Sequence, residues 1–238
     1  MTLLEVCVDS IDGVGAAVRG GADRIELCAA LEVGGLTPSL GLMRAAADCG
    51  VPVFAMIRPR EGGFVYRPDD IAVMRADIAA ARAAGMTGVV LGASLPDGRL
   101  DEGVLSALLA EAGGMGRTLH RCFDLVPDRS HALEQAVSLG FHRVLTSGGA
   151  KTAGEGVAVL AALMEQAAGR IQIMPGAGIS AQTVHLLQGL PLREVHASCS
   201  MPVAEAAAVV AFGFGPAQAR RTSEDRVRAL RQALIARQ

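Results

Sequence analysis

Two hydrophobic periods alternate along this chain. Short β-rich apolar runs are each followed by a longer alanine-rich stretch with helical spacing, and the pair recurs about eight times. The runs that predict strands are 3–9, 24–30, 51–59, 88–94, 117–124, 143–147, 171–177 and 194–200. Helices are predicted over 12–20, 39–49, 69–84, 101–110, 130–139, 154–168 and 181–188, with a last one over 223–237. Ser39, Asp69, Asp101, Ser130 and Ser180 read as N-caps, and Gly85 and Gly140 as helix stops. Strands that alternate with helices pair in parallel. Eight such units predict an α/β fold, a TIM-type (β/α)₈ barrel spanning 1–238 as one domain. A doubly wound sheet is the rival, but no GxGxxG follows the first strand. The Ala/Gly-rich run 202–221 is expected to wander before the final helix.

A parallel barrel strand is buried on both faces and should be apolar throughout. Glu5 and Glu26 break that rule in mid-strand, and Arg58, His120, Arg121, Asp124, Thr146, Ser147, His196 and Ser198 break it near strand ends. An unpaired buried carboxylate costs several kcal/mol, roughly, so Glu5 and Glu26 need partners. Arg58 is the expected counter-charge. The period of two puts Cys7 on the face of Glu5 and Cys28 on the face of Glu26.

Enzymes of this fold place their chemistry at the C-terminal rim of the strands. Glu5 or Glu26 then reads as a general base, with His120 as acid and Asp124 beside it. Arg58, His196 and Ser198 would bind a small anionic ligand. So would the N–H groups of two glycine turns, Thr146-Ser147-Gly148 and Gly176 to Gly178. Proton abstraction beside a carbonyl, or a retro-aldol step, suits such a set. The single lysine, Lys151, lies past a glycine turn, which argues against an imine mechanism.

Composition narrows the classes. The net charge is −2, Trp is absent and there is one Tyr, so nothing suggests a nucleic-acid surface. No apolar run is long enough to predict a membrane span, and the N-terminal residues do not read as a signal peptide. Five widely spaced cysteines without a CxxC predict free thiols in a cytoplasmic protein.

The motifs resemble one family throughout. Leu-Glu-Val-Cys at 4–7, Gly-Ala-Asp-Arg-Ile-Glu-Leu-Cys at 21–28, Gly-Gly-Leu-Thr-Pro-Ser at 34–39 and Ile-Arg-Pro-Arg at 57–60 are similar to the CutC family. So are His-Arg-Cys-Phe-Asp at 120–124, Leu-Thr-Ser-Gly at 145–148, Gly-Ala-Gly-Ile at 176–179 and Glu-Val-His-Ala-Ser at 194–198. The resemblance implies a cytoplasmic TIM-type barrel, a homo-oligomer (a dimer), linked by name to copper homeostasis. It also implies Cys7 and Cys28 as Cu(I) ligands, and soft thiolates do select that ion. Three departures stand out: Cys122 where the family has Ala, Gly63 where it has Asp, and a shorter, more alanine-rich segment after residue 200.

Overall fold

The computed structural model describes residues 1–237. Eight parallel strands form a nearly closed barrel: β1 (Leu3–Val8), β2 (Arg24–Leu27), β3 (Val53–Met56), β4 (Gly88–Leu91), β5 (Gly116–Leu119), β6 (Arg143–Thr146), β7 (Gln172–Pro175) and β8 (Glu194–Ala197). From β1 to β7 each strand pairs with the next, and β1 also pairs with β8. The ladder stops between β7 and β8, which lie against each other unpaired. The strands are shorter than the apolar runs because the last residues of several runs leave the ladder to build the rim.

Helices α1 (Ile11–Gly20), α2 (Leu40–Ala46), α3 (Pro68–Ala83), α4 (Glu102–Ala112), α5 (Arg129–Ser138) and α6 (Val157–Ala167) cover the outside. Ser39 and Asp101 cap as expected, accepting from Leu42 N–H and Val104 N–H. Elsewhere the start shifts. Asp128, not Ser130, caps α5, and α3 begins at Pro68, with Asp70 reaching back to Arg67 N–H. The helix expected over 181–188 is only a 3₁₀ turn, Val184–Leu187. Thr183 Oγ1 accepts from Ser180 N–H and donates to Gly178 O, so local side-chain bonds replace a first helical turn. No described helix is long and apolar enough to cross a membrane.

Residues 200–222 do not wander. Strands β9 (Ser200–Ala204) and β10 (Gln218–Thr222) form an antiparallel pair with the short helix α7 (Ala207–Ala211) between them. The chain then enters α8 (Glu224–Ala236), which packs on α1.

Inside the barrel, the lowest layer is a plug built around Phe54. Its ring lies 5.2 Å from the Arg24 guanidinium and 5.0 Å from that of Arg143. Gly88 and Gly116 on the next two strands make room for it: a Cβ on either would sit 2.4 or 2.3 Å from the ring. Above Phe54, Met56, Val90 and Cys28 form a small interior cluster, separate from the larger core between strands and helices.

Gly116→Ala should therefore destabilise the protein by about 1–3 kcal/mol through overpacking. Adding Phe54→Leu should recover part of the loss, as read from urea midpoints. An unshifted Gly116→Ala midpoint would mean that the plug yields freely.

Candidate functional site

The barrel floor is an ion network. Glu5 is fully buried, and its Cα neighbours on the flanking strands are Arg24 and His196. Arg24 Nε donates to Glu5 Oε2 and Arg24 Nη2 to Glu194, 2.6 Å away. Arg143 Nε also donates to Glu194, at 3.0 Å. On the other side, His196 Nδ1 donates to Glu5 Oε1 at 2.8 Å. Burial alone would raise the Glu5 carboxyl; Arg24 and His196 outweigh it and hold Glu5 below its ordinary value. Arg58 takes no part, so the expected Arg58 counter-charge is replaced by Arg24. The signal was readable: Arg24 shares a strand face with Glu26.

One layer up, His196 Nε2 lies 3.8 Å from Glu26 Oε2. Burial works against an imidazolium here, but the Glu26 charge and Cys7 raise His196 well above 6.5. Glu26 is itself pushed up, first by burial and then by the Glu5 charge. The Cys28 thiol donates to Glu26 Oε2 at 3.5 Å, while Glu26 Oε1 has no partner.

Cys7, Glu26 and His196 form the base of a pocket of about 640 Å³ at the C-terminal ends of the strands. Its wall includes Met56, Leu145, Arg58, Phe64 and His120, and Ser198 stands at the rim. His120 is the opposite of His196. Burial, aided by the charge of Arg58, drives it down to about 3, so the ring is neutral. Cys122 N–H donates to its Nδ1 at 3.2 Å, which places the ring proton on Nε2. That Nε2 has no partner, and the Phe64 ring packs 4.7 Å away. Arg58 is held by carbonyls: Nη1 donates to Val33 O (2.8 Å) and Gly35 O (3.0 Å), and Nη2 to Gly62 O (2.9 Å). Its Nε is also without a partner.

The structure separates the other expected site residues from this pocket. Asp124 is a tie-point: it accepts from Thr146 Oγ1 (2.5 Å), Ser147 N–H (3.0 Å), Gly149 N–H (2.9 Å) and Arg121 Nε (2.7 Å). With its lone pairs occupied, it is no free base. Two N–H groups of the 146–149 turn bind Asp124, and that of Gly148 donates to Thr146 Oγ1, so the turn cradles no ligand. Gly176 and Gly178 also lie off the pocket lining. A Cβ on Gly176 would stand 2.5 Å from Leu145, and Gly178 has φ +74°, so packing and turn geometry explain both. Glu5 is engaged on both oxygens and orients His196 rather than serving as a base. His120 is neutral, with an unpartnered Nε2–H, and so is no cationic acid. The run 202–221 adds lining residues that sequence reasoning missed, among them Gln218 and Arg220.

The potential metal ligands also regroup. Ligand atoms of Cys7, Glu26 and His196 lie within 4.8 Å of one another, and all three residues are buried. The Glu5–His196 bond is the carboxylate–histidine support common behind metal-bound imidazoles. Cys28 stands outside that group. Its thiol is raised well above the ordinary value by burial and by Glu26, which keeps it protonated. Of the two expected Cu(I) ligands, Cys7 alone joins this three-residue group among the described residues.

Comparison with known proteins follows the same outline. The sequence model of the CutC family matches residues 2–201. A family protein CutC of Rhizobium meliloti (strain 1021) is 59% identical over 98% of this chain and 96% of its own length. The human copper homeostasis protein cutC homolog is 46% identical over 82% of this chain and 72% of its own. The crystal structure of CutC from Streptococcus agalactiae superposes with a TM-score of 0.80 at 32% identity, over 83% of this chain and 99% of that one.

Glu5→Gln should cost about 3–5 kcal/mol at neutral pH, because Arg24 keeps its charge in a buried place. A depressed carboxyl stabilises above its ordinary value of 4.5, and that contribution fades as pH falls through the lower folded-state value. The gap between wild type and Glu5→Gln in thermal midpoint should thus narrow in acid. For His196 the sign reverses: its contribution is full below 6.5 and fades as pH rises through the raised value. The gap to His196→Gln should close in alkali. A pH-independent gap in both cases would contradict these assignments.

Proposed function

The chain belongs to the CutC family, and from the geometry of its pocket we propose that it is an acid–base enzyme acting on a small anionic hydroxy-carbonyl compound. One observation carries this reading. Three residues lining the same pocket, Glu26, Arg58 and His120, each hold a buried polar atom without a partner. Unsatisfied buried polar groups are costly, and finding three in one lining points to a ligand that satisfies them. Two are N–H donors and one is a carboxylate oxygen, which suits a ligand with acceptor oxygens and one removable hydrogen.

The roles follow from the local chemistry. Arg58, pinned by three carbonyls, holds a carboxylate or carbonyl oxygen through Nε. His120 Nε2–H donates to the reacting carbonyl; a neutral imidazole is suited to stabilising the enolate oxygen. Glu26 takes the proton from the adjacent carbon, and the C–H electron pair becomes the C=C of the enolate. Its raised value brings it toward the range where a carboxylate is an effective base. His196, charged and fixed by Glu5, can return the proton at the neighbouring position.

A second reading, in which a copper ion is the cargo, is supported by the proximity of Cys7, Glu26 and His196. That set offers one soft donor, one imidazole and one hard oxygen, which is poorer for Cu(I) than a thiolate pair.

Wild type in D₂O should exchange the α-hydrogen of a pooled hydroxy-carbonyl substrate, read by mass spectrometry. Glu26→Gln should slow exchange by about 10²–10⁴-fold, and Arg58→Ala should lose the ligand's thermal protection. Equal exchange by wild type and folded Glu26→Gln would sink the enzyme reading.

In anaerobic Cu(I) titration, Cys7→Ser should weaken binding by about tenfold or more, while Cys28→Ser leaves it nearly unchanged. Equal losses in both variants would restore the two-thiolate clamp.

A further inference from the structure

The roof of the pocket comes from the C-terminal hairpin. Ser200, Pro216, Gln218, Ala219, Arg220 and Thr222 all line it. The match to the family model ends at residue 201, so nearly all of the roof lies beyond the matched stretch.

Arg220 is the charged group that this roof adds. Its Nε donates to Ser200 Oγ at 3.0 Å and its Nη2 to Ser200 O at 2.9 Å, which fixes the guanidinium against β9. The bonds occupy one edge of the group. Nη1 and the second Nη2 proton, the end-on fork, stay open. Among the described residues Arg220 has no carboxylate partner, whereas its neighbour Arg221 pairs with Glu205 at 3.5 Å. Arg58 in the wall likewise has no carboxylate partner among the described residues. One pocket thus holds two oriented guanidiniums without a direct carboxylate partner, one in the barrel wall and one in the roof, in a lining that also carries Asp9, Glu26 and Glu32. A guanidinium fork matches two oxygens of a phosphate.

We propose that Arg220 binds a terminal phosphate monoester of the ligand, which makes the substrate class a phosphorylated hydroxy-carbonyl compound. The inference rests on the acid–base reading of the pocket and adds the second anionic group. It also gives the hairpin a role, as the element that selects phosphorylated over unphosphorylated ligands. The anion site then sits on the roof rather than at the glycine turn after β7.

Calorimetric titration with glycolate and with 2-phosphoglycolate tests this. Wild type should bind phosphoglycolate about tenfold more tightly than glycolate, or better. In Arg220→Ala the ratio should fall to near one, and in Arg220→Lys part of it should remain. Arg226→Ala is the control, because Arg226 also donates to Ser200 O but does not line the pocket; it should keep the wild-type ratio. An unchanged ratio in Arg220→Ala would overturn the phosphate assignment. Wild type that binds glycolate with no gain from phosphate would overturn it too, leaving the acid–base reading in place. Wild type that binds neither probe would remove both.

Discussion

Everything in this site depends on keeping one carboxylate charged where water does not reach. Glu5 sits in the barrel floor with no exposure, and isolated burial would neutralise it. Register solves the problem. On one side β2 presents Arg24 at the same level, and on the other β8 presents His196. The Arg24 charge is then shared with Glu194, and Glu194 with Arg143, so the floor closes on itself. Phe54 fills the space between the two guanidiniums because β4 and β5 carry glycine at that level.

The floor determines what stands above it. With Nδ1 held by Glu5, His196 must present Nε2 to Glu26 and Cys7. The same imidazole side chain on β5's exit, His120, meets no carboxylate but an apolar wall and the charge of Arg58. The two histidines are consequently set in opposite states, one cationic and one neutral, a few residues from their strand ends. Groups whose surroundings push their proton affinities apart are the usual basis of acid–base division of labour. The wall and roof then supply arginines without carboxylate partners.

Much of the architecture was readable from the pattern of apolar runs. Seven of the eight strands fall within their predicted segments and β5 starts one residue early, at Gly116, since a parallel barrel strand is buried on both faces and reads as an apolar run. The interior position of Glu5, Glu26, Cys7 and His196 was also readable, because the period of two admits only two faces. Partner choice was harder. Arg58 appeared to be the counter-charge only because strand ends draw attention; Arg24, at a strand start, was passed over. Asp124 and the 146–149 turn carry polar residues of the kind that build sites, yet they bind one another. Spacing does not distinguish a carboxylate that awaits a ligand from one whose oxygens are already taken. The hairpin was missed because its strands are mostly exposed and interrupted by a run of Ala and Gly.

The sequence by itself determined a parallel eight-stranded barrel, the CutC motifs, and which side chains must face the lumen. Those follow from local periodicity and from the cost of burying charge, and both are written into neighbouring residues. Only the tertiary structure decided which charges meet. It paired Glu5 with Arg24 instead of Arg58, withdrew Cys28 and Asp124 from the pocket, and folded residues 200–222 over its mouth. Contacts between residues 19 to 191 positions apart made those choices. Strand register and the course of the returning chain govern such contacts, and neither is encoded in any single stretch.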